Sequence, residues 1–236
     1  MKQSESVSIC ILLNENEFES KFCLENLVCN TDLNFELFLY LFKPNESVVK
    51  MLQSYSNSKN NFISLNVFNN NQSVTGVYNH FLNCTKNPYN VIIASDIIVN
   101  KHWLINLKHS YKNIIKSGCI SLKSNSDKLI LSSKLDAEDS LRTVYVSEEN
   151  LFNDLVFFSS DKIKEIGYFN DKLKGVELAE WSFRFFANGY ENYYLKYKNV
   201  IRLNCNDAFL KPKLSQEIKS NFVKILNNRL TVEKYN

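Results

Sequence analysis

Two rhythms of apolar and polar positions alternate along this chain. Short apolar, β-rich runs end at polar or proline-bearing breaks, and between them lie longer stretches with helical spacing. Val7 to Leu13 reads as a strand that stops at Asn14-Glu15-Asn16. Phe18 to Cys29 follows, with Phe22, Leu24, Leu27 and Val28 at helical intervals. Phe35 to Phe42 is a second strand, halted by Lys43-Pro44-Asn45, and Ser47 to Tyr55 a second helix. Phe62 to Phe68 predicts a third strand, Val74 to Cys84 a third helix, and Val91 to Ala94 a fourth strand. The order β-α-β-α-β-α-β predicts an α/β fold with a mostly parallel central sheet and helices on both faces. Ligands of such sheets bind beyond the carboxyl ends of the strands. Asn14, Lys43, Asn69 and Asp96 would therefore gather at one edge. The stretch NVIIASDIIVNKHWL from Asn90 to Leu104 would set Asp96 at the exposed end of a central strand, with a loop behind it.

The second half is less regular. Trp103 to Ile115 predicts a helix, Cys119 to Leu122 a strand, and residues 124–150 a long polar loop of the kind that serves function or motion. Leu155 to Phe158 reads as a strand, Lys162 to Ile166 as a short helix, and Glu177 to Asn188 as a helix closed by Gly189. Tyr193 to Tyr197 and Val200 to Leu203 read as two strands. From Leu214 to Leu230, Leu214, Ile218, Phe222, Ile225, Leu226 and Leu230 share one helical face. The whole reads as a single domain over residues 5–205 with a C-terminal helical extension over 206–236.

Composition narrows the function classes. At 44% hydrophobic and 13% aromatic, the 236 residues can build a substantial core. Charge is nearly balanced, with a net of +3, which argues against nucleic acid as the main partner. The six cysteines, Cys10, Cys23, Cys29, Cys84, Cys119 and Cys205, form no C-x-x-C pair and lack a histidine at zinc spacing. Most sit in apolar runs, as expected of a reducing compartment. The N-terminus is too polar for a signal peptide, and no apolar run approaches the roughly 20 residues that span a bilayer. The expected location is cytoplasmic. Only five glycines are present, against roughly sixteen for average usage. Gly76, Gly118, Gly167, Gly175 and Gly189 are therefore candidates for positive φ or close backbone approach.

All five glycines fall in segments that, in this order, resemble the family 2 glycosyltransferases of the GT-A fold. The segments are VSICILLNENE, GVYNHFL, VIIASDIIV, KSGCISLKS, VFFSSDKIKEIGYFNDKLKG and VELAEWSFRFFANGY. The resemblance covers roughly residues 5 to 205. It implies transfer of a sugar, with inversion, from a nucleotide-diphosphate donor to a saccharide, lipid-linked or protein acceptor. Such a reaction needs a divalent cation, Mn²⁺ or Mg²⁺, to neutralise the departing diphosphate, and a carboxylate base at the acceptor hydroxyl.

The same resemblance implies roles for particular residues. VIIASDIIV matches the strand that ends in the D-x-D motif, so Ser95 and Asp96 would meet the donor and Asp96 its metal ion. The position of the first acid of that motif holds Ala94. Taken alone, Asp96 reads as a cap on the loop after a strand; within the ordered set of segments the functional role is favoured. In the glutamate-aspartate motif, Leu178 replaces the aspartate, which leaves Glu177 and Glu180 as the catalytic candidates. Their i, i+3 spacing places them on one helix face, and Arg184 stands i+4 from Glu180. Glu177 is the expected base and Glu180 its orienter, against a reading of both as solvated acids. Asn14 and Glu15 would contact the donor after strand one, and Lys43 after strand two, where the family usually has an aspartate. Asn79 matches the asparagine of the family's arginine–asparagine pair, with Tyr78 in place of arginine, and would contact the donor or remain a helix-surface amide. Asn153 and Asp154 would line the acceptor side. Asn204 or Asn206 stands where the family often has a metal-binding histidine. His80, His102 and His109 have no metal spacing of their own.

The tail from Phe209 to Asn236 carries six Lys/Arg and two Asp/Glu. A basic amphipathic helix suits peripheral contact with the inner face of an anionic membrane. Packing on the domain, or on a second copy in a homo-oligomer, is the alternative. The rival to catalysis is a non-catalytic binding or scaffolding subunit of the same fold. A nucleotidyltransferase is disfavoured, because LNENEFES after strand one contains no glycine to cradle a phosphate.

Overall fold

The computed structural model describes residues 6–13, 16–42, 46–58, 63–68, 73–124, 143–145, 155–172 and 177–202. The first strand shows how the sequence sorts itself. In β1 (Val7–Leu13), Val7, Ile9, Ile11 and Leu13 point to one core while Cys10 points to the other. The period-2 pleat makes this division, and each strand buried on both faces repeats it. In β2 (Phe35–Phe42), Leu37, Leu39 and Leu41 join the first core, and Phe38 and Tyr40 the second. Val91 and Ile93 of β4 (Tyr89–Ala94) face one way and Ile92 the other. In β8 (Leu155–Ser159), Leu155 and Phe157 oppose Val156 and Phe158.

Helices close both faces. The first core is covered by α1 (Glu17–Asn30), α2 (Glu46–Ser58) and α4 (Trp103–Asn113), through Leu24, Leu27, Val48, Leu52, Trp103 and Leu107. The second is covered by α3 (Val74–Cys84), α5 (Ser160–Ile166) and α6 (Glu177–Ala187), through Val77, Phe81, Ile163, Trp181 and Phe185. Local signals start two of these helices. The Asn16 side chain accepts from the Glu19 amide at 3.2 Å, and the Ser73 hydroxyl from the Gly76 amide at 3.1 Å. Each satisfies an amide that the first turn leaves without a helical partner.

The expected α/β architecture is what the structure shows. With β3 (Ile63–Phe68), β5 (Ile97–Val99), β6 (Ser117–Ser124), β7 (Thr143–Tyr145) and β9 (Glu191–Arg202), the strands form one sheet in the order β3-β2-β1-β4-β8-β6-β9-β5, with β7 also on β9. The β3-β2-β1-β4 half is parallel throughout. The other half is mixed, with β8 antiparallel to both β4 and β6 and with β6 parallel to β9.

Three elements differ from the sequence reading. Ile97–Val99 is a strand rather than a loop, because it pairs antiparallel with Val200–Arg202. Thr143–Tyr145, inside the expected long loop, pairs antiparallel with Tyr193–Leu195. The two strands expected over 193–203 are one, β9, whose first half pairs with β6 and β7 and whose last residues reach β5. In each case the strand exists because of a partner far away in sequence. Among the described residues no helix is long and apolar enough to cross a membrane. The extension over 206–236 lies outside the described residues.

Candidate active site at the carboxyl edge of the sheet

Register brings the strand ends level. Leu13 pairs with Leu41, Leu12 with Ala94, and Phe42 with Phe68, so β1 to β4 finish along one edge. The Ser95-Asp96 turn leaves that edge and enters β5 directly. Asp96 is only 9% exposed, which corrects the expectation of an exposed strand end. Two amides of α1 explain the burial by drawing β5 onto that helix. Asn26 accepts from the Val99 amide at 2.8 Å, and Asn30 donates to the Val99 carbonyl at 2.9 Å. Asp96 is thereby held beside Cys23 of α1. Burial pushes the Cys23 thiol up to about 12, and the negative charges of Asp96 and Glu19 add to the shift.

The helix α6 supplies the other acids. Its C-terminal half lies over the start of β6, where Gly118 permits close approach. A Cβ there would lie 2.9 Å from the Phe185 Cβ and 2.8 Å from the Asn192 Oδ1. Gly189, at φ +87, ends α6 in the left-handed region, as expected of a glycine just past a helix. The chain then enters β9 at Glu191, opposite Ser117 at the amino edge. The first turn of α6, with Glu177 and Glu180, accordingly lies toward the carboxyl edge, on the face of the second core.

Glu180 and Arg184 form the ion pair their spacing predicts, at 3.0 Å. The guanidinium also donates to the carbonyls of Ile166 at 2.9 Å and Tyr168 at 2.7 Å. The Trp181 indole donates to the Gly167 carbonyl at 2.8 Å. Asn79 of α3 holds the same segment from the opposite side. Its oxygen accepts from the Phe169 amide at 2.8 Å and its nitrogen donates to the Phe169 carbonyl at 3.1 Å. Residues 167–169 are thus clamped between α3 and α6, with Gly167 at φ +81. Both ends of the Asn79 amide serve this clamp, a role its sequence position did not announce. Tyr78 packs its ring 5.1 Å from that of Phe169. Burial raises its hydroxyl, and the nearby Glu177 charge contributes. No spacing in the sequence joins Arg184, Trp181 and Gly167 into one unit. The only available signal was the Glu180–Arg184 spacing.

Burial also raises the Glu180 carboxyl above the ordinary value of 4.5, and Arg184 opposes the shift. The folded state then binds more protons than the unfolded state between 4.5 and the raised value. Stability should fall as pH rises through that window. Denaturant midpoints measured across it should show this decline in the parent protein and lose this component of it in Glu180→Gln. An unchanged slope in the variant would contradict the assignment.

Asn14, Glu15, Lys43, Asn153, Asp154, Asn204 and Asn206 lie outside the described residues. Ser95 lies half-buried in the turn beside Asp96. Among the described residues no group of three or more His, Cys, Asp or Glu is placed to hold a metal ion. The three histidines meet other partners. His80 meets the Tyr40 hydroxyl at 3.0 Å, His102 the Asp32 carboxylate, and His109 the Asn113 amide at 2.9 Å. One carboxylate at the sheet edge still fits a hard cation that takes its remaining oxygens from phosphates and water.

No protein-family model matches the chain, and no curated protein matches it. Solved structures match its fold. Mannosyltransferase PcManGT from Pyrobaculum calidifontis, in complex with GDP-Man and Mn²⁺, gives a TM-score of 0.69 at 11% identity, over 86% of this chain and 58% of that one. TarS of S. aureus with UDP-GlcNAc gives 0.70 at 14% identity, over 94% of this chain and 67% of that one. GalNAc-T7 with UDP, GalNAc and Mn²⁺ gives 0.72 at 12% identity, over 86% and 45%. This chain thus spans between 45% and 67% of the length of these neighbours. At such identities the likeness is one of fold, and the fold is that of the GT-A glycosyltransferases.

Proposed function

We propose that the chain is an inverting glycosyltransferase that moves a sugar from a nucleotide-diphosphate donor to a hydroxyl acceptor in glycan or glycoconjugate assembly. The observation that carries the reading is Asp96. It is a carboxylate in the turn after β4, at the edge where four parallel strands end level, on a sheet shared with transferases solved with nucleotide sugars. Ser95 and Asp96 meet the donor diphosphate. A Mn²⁺ or Mg²⁺ ion held by Asp96 and the phosphates would neutralise the charge of the leaving group. Asn14, Glu15 and Lys43 contribute to the donor side, and Asn153 and Asp154 to the acceptor side. Asn79 contributes by bracing Phe169.

Glu177 removes the proton of the acceptor hydroxyl. Glu180, committed to Arg184, orients the first turn of α6. Glu177→Gln should lower kcat about a hundredfold, the lower end of the usual range for general-base catalysis, with donor affinity unchanged. Steady-state kinetics together with a donor titration check both halves. A Glu177→Gln enzyme of parental kcat would remove Glu177 from the chemistry.

Calorimetric titration with a panel of UDP- and GDP-sugars, with and without Mn²⁺, followed by product analysis, tests the whole reading. Transfer or hydrolysis of one donor supports it. Donor binding without turnover supports a non-catalytic binding member of the fold, which Ala94 and Leu178, standing where the family carries acids, also favour. Failure to bind any nucleotide rejects both. Cytoplasmic placement, with the basic tail against the inner face of the membrane or against a second copy, belongs to the same proposal.

A further inference from the structure

We infer that the opposite, amino edge of the sheet carries a second binding site, for a phosphate ester, separate from the carboxyl-edge site. A pocket of about 460 Å³ opens there. It lies where β4 and β6 begin and β8 ends, since Tyr89 pairs with Ser159 and Ser117 starts β6. That volume falls within the usual range for small-molecule sites, and is larger than a bare oxyanion requires.

The lining defines the ligand. Lys112, Lys116 and Lys162 line the pocket together with a single carboxylate, Asp161. Asp161 accepts from the Ser159 hydroxyl, which also meets the Tyr111 hydroxyl at 2.8 Å. Aromatic rings hold two of these cations in place. Lys112 lies 5.4 Å from the Tyr89 ring centroid, as does neighbouring Lys108, and Lys162 lies 3.8 Å from that of Tyr190. Such contacts reduce the freedom of lysine side chains before a ligand arrives. Lys116 sits at φ +59, in the left-handed region where glycine or asparagine is cheaper. Ser117 also lines the pocket; it is 5% exposed, and its hydroxyl oxygen, closed to solvent, has no hydrogen-bond partner among the described residues.

Three lysines around one aspartate suit a doubly charged oxyanion. The Tyr89 and Tyr111 rings, 6.0 Å apart and inclined at 75°, offer apolar surface to the organic part of an ester. Neither Asp96 nor Glu177 lines this pocket, so the inference does not depend on the transferase reading.

The test titrates the full chain with glucose 6-phosphate, inorganic phosphate and glucose, followed by calorimetry or by lysine-resolved NMR. Glucose 6-phosphate should bind saturably, more tightly than inorganic phosphate, while glucose should not bind. Lys116→Gln combined with Lys162→Gln should weaken the phosphate ester about tenfold and lower the salt dependence of binding. Asp96→Asn should leave it unchanged. A phosphodiester such as glycerophosphocholine, run in parallel, distinguishes a terminal phosphate from a backbone phosphate as the source of the anion. Lack of saturable binding by either ester at millimolar concentration overturns the inference. So does binding that the lysine variants leave intact, or binding that Asp96→Asn abolishes. Unaltered circular dichroism and melting of the lysine variants will show that the fold is retained, so that loss of binding reports on the pocket.

Discussion

Replacing Asp96 by alanine should lower turnover of the cognate nucleotide sugar on the order of a thousandfold. At about 1.4 kcal/mol per tenfold, this is a loss of roughly 4 kcal/mol of transition-state stabilisation, within what a metal-held diphosphate contributes. The size of the effect follows from the site's economy of charge. Among the described residues no group of three or more His, Cys, Asp or Glu is placed to take over the role proposed for Asp96. Its surroundings also matter, because it is almost fully buried beside α1. The alanine variant therefore removes packing as well as charge. Asp96→Asn keeps the volume and should keep the fold, while losing both turnover and the Mn²⁺ dependence of nucleotide binding. In the parent protein, Mn²⁺ should bind measurably only when a nucleotide diphosphate supplies further oxygens, which calorimetry can follow without any turnover. If Asp96→Asn turns over at the parental rate with its metal dependence intact, the carboxylate is a structural cap, and the transferase site must lie elsewhere.

The second large effect is on stability. Trp181→Ala should cost about 3–5 kcal/mol, the usual range for deleting a fully buried large aromatic side chain. Trp181 is 0% exposed, and its ring centroid lies 4.7 Å from those of Phe158 and Phe169 and 4.9 Å from that of Phe185. It thereby ties α6 to β8 and to the segment after α5. The deletion also leaves the Gly167 carbonyl without its 2.8 Å donor. Urea denaturation of Trp181→Ala and Trp181→Phe separates the two losses. Phenylalanine restores much of the volume but not the N–H, so its cost should fall near the roughly 1–3 kcal/mol of an unsatisfied buried polar group. A midpoint for Trp181→Ala close to that of the parent would mean that α6 is not anchored as described. Loosening the clamp should also disturb the first turn of α6. With Glu177 as the proposed base, turnover in Trp181→Phe is therefore expected to fall more than donor affinity.

Sequence and structure divide the result by the range of the interactions involved. The periodicity within each segment sufficed for β1, β2 and α3, whose limits agree to the residue, because the pleat and the helix turn are local repeats. The β-α-β order sufficed for the parallel half, since a crossover helix permits little else. The Glu180–Arg184 pair was legible because its two members are one helical turn apart. Gly189 was legible because its conformation is a property of a single residue.

What stayed illegible depends on partners distant in the chain. Ile97–Val99 carries only three residues of pattern and becomes a strand because Val200–Arg202 lies against it. That pairing, with the two amides of α1, is also what turns Asp96 from an exposed terminus into a buried carboxylate. Asn79 presents as a surface amide until the backbone of Phe169, ninety residues on, arrives to fill both of its ends. The amino-edge pocket draws its lysines from α4, the turn after it and α5, three places that no spacing rule connects. By itself the sequence determined the helices, the strands of the parallel half, their order and the edge at which that half ends, because those follow from short-range sterics and burial. Only the tertiary structure decided which polar groups meet there and which are occupied elsewhere. Such pairings arise from long-range closure of the sheet, which leaves no periodic trace in the chain.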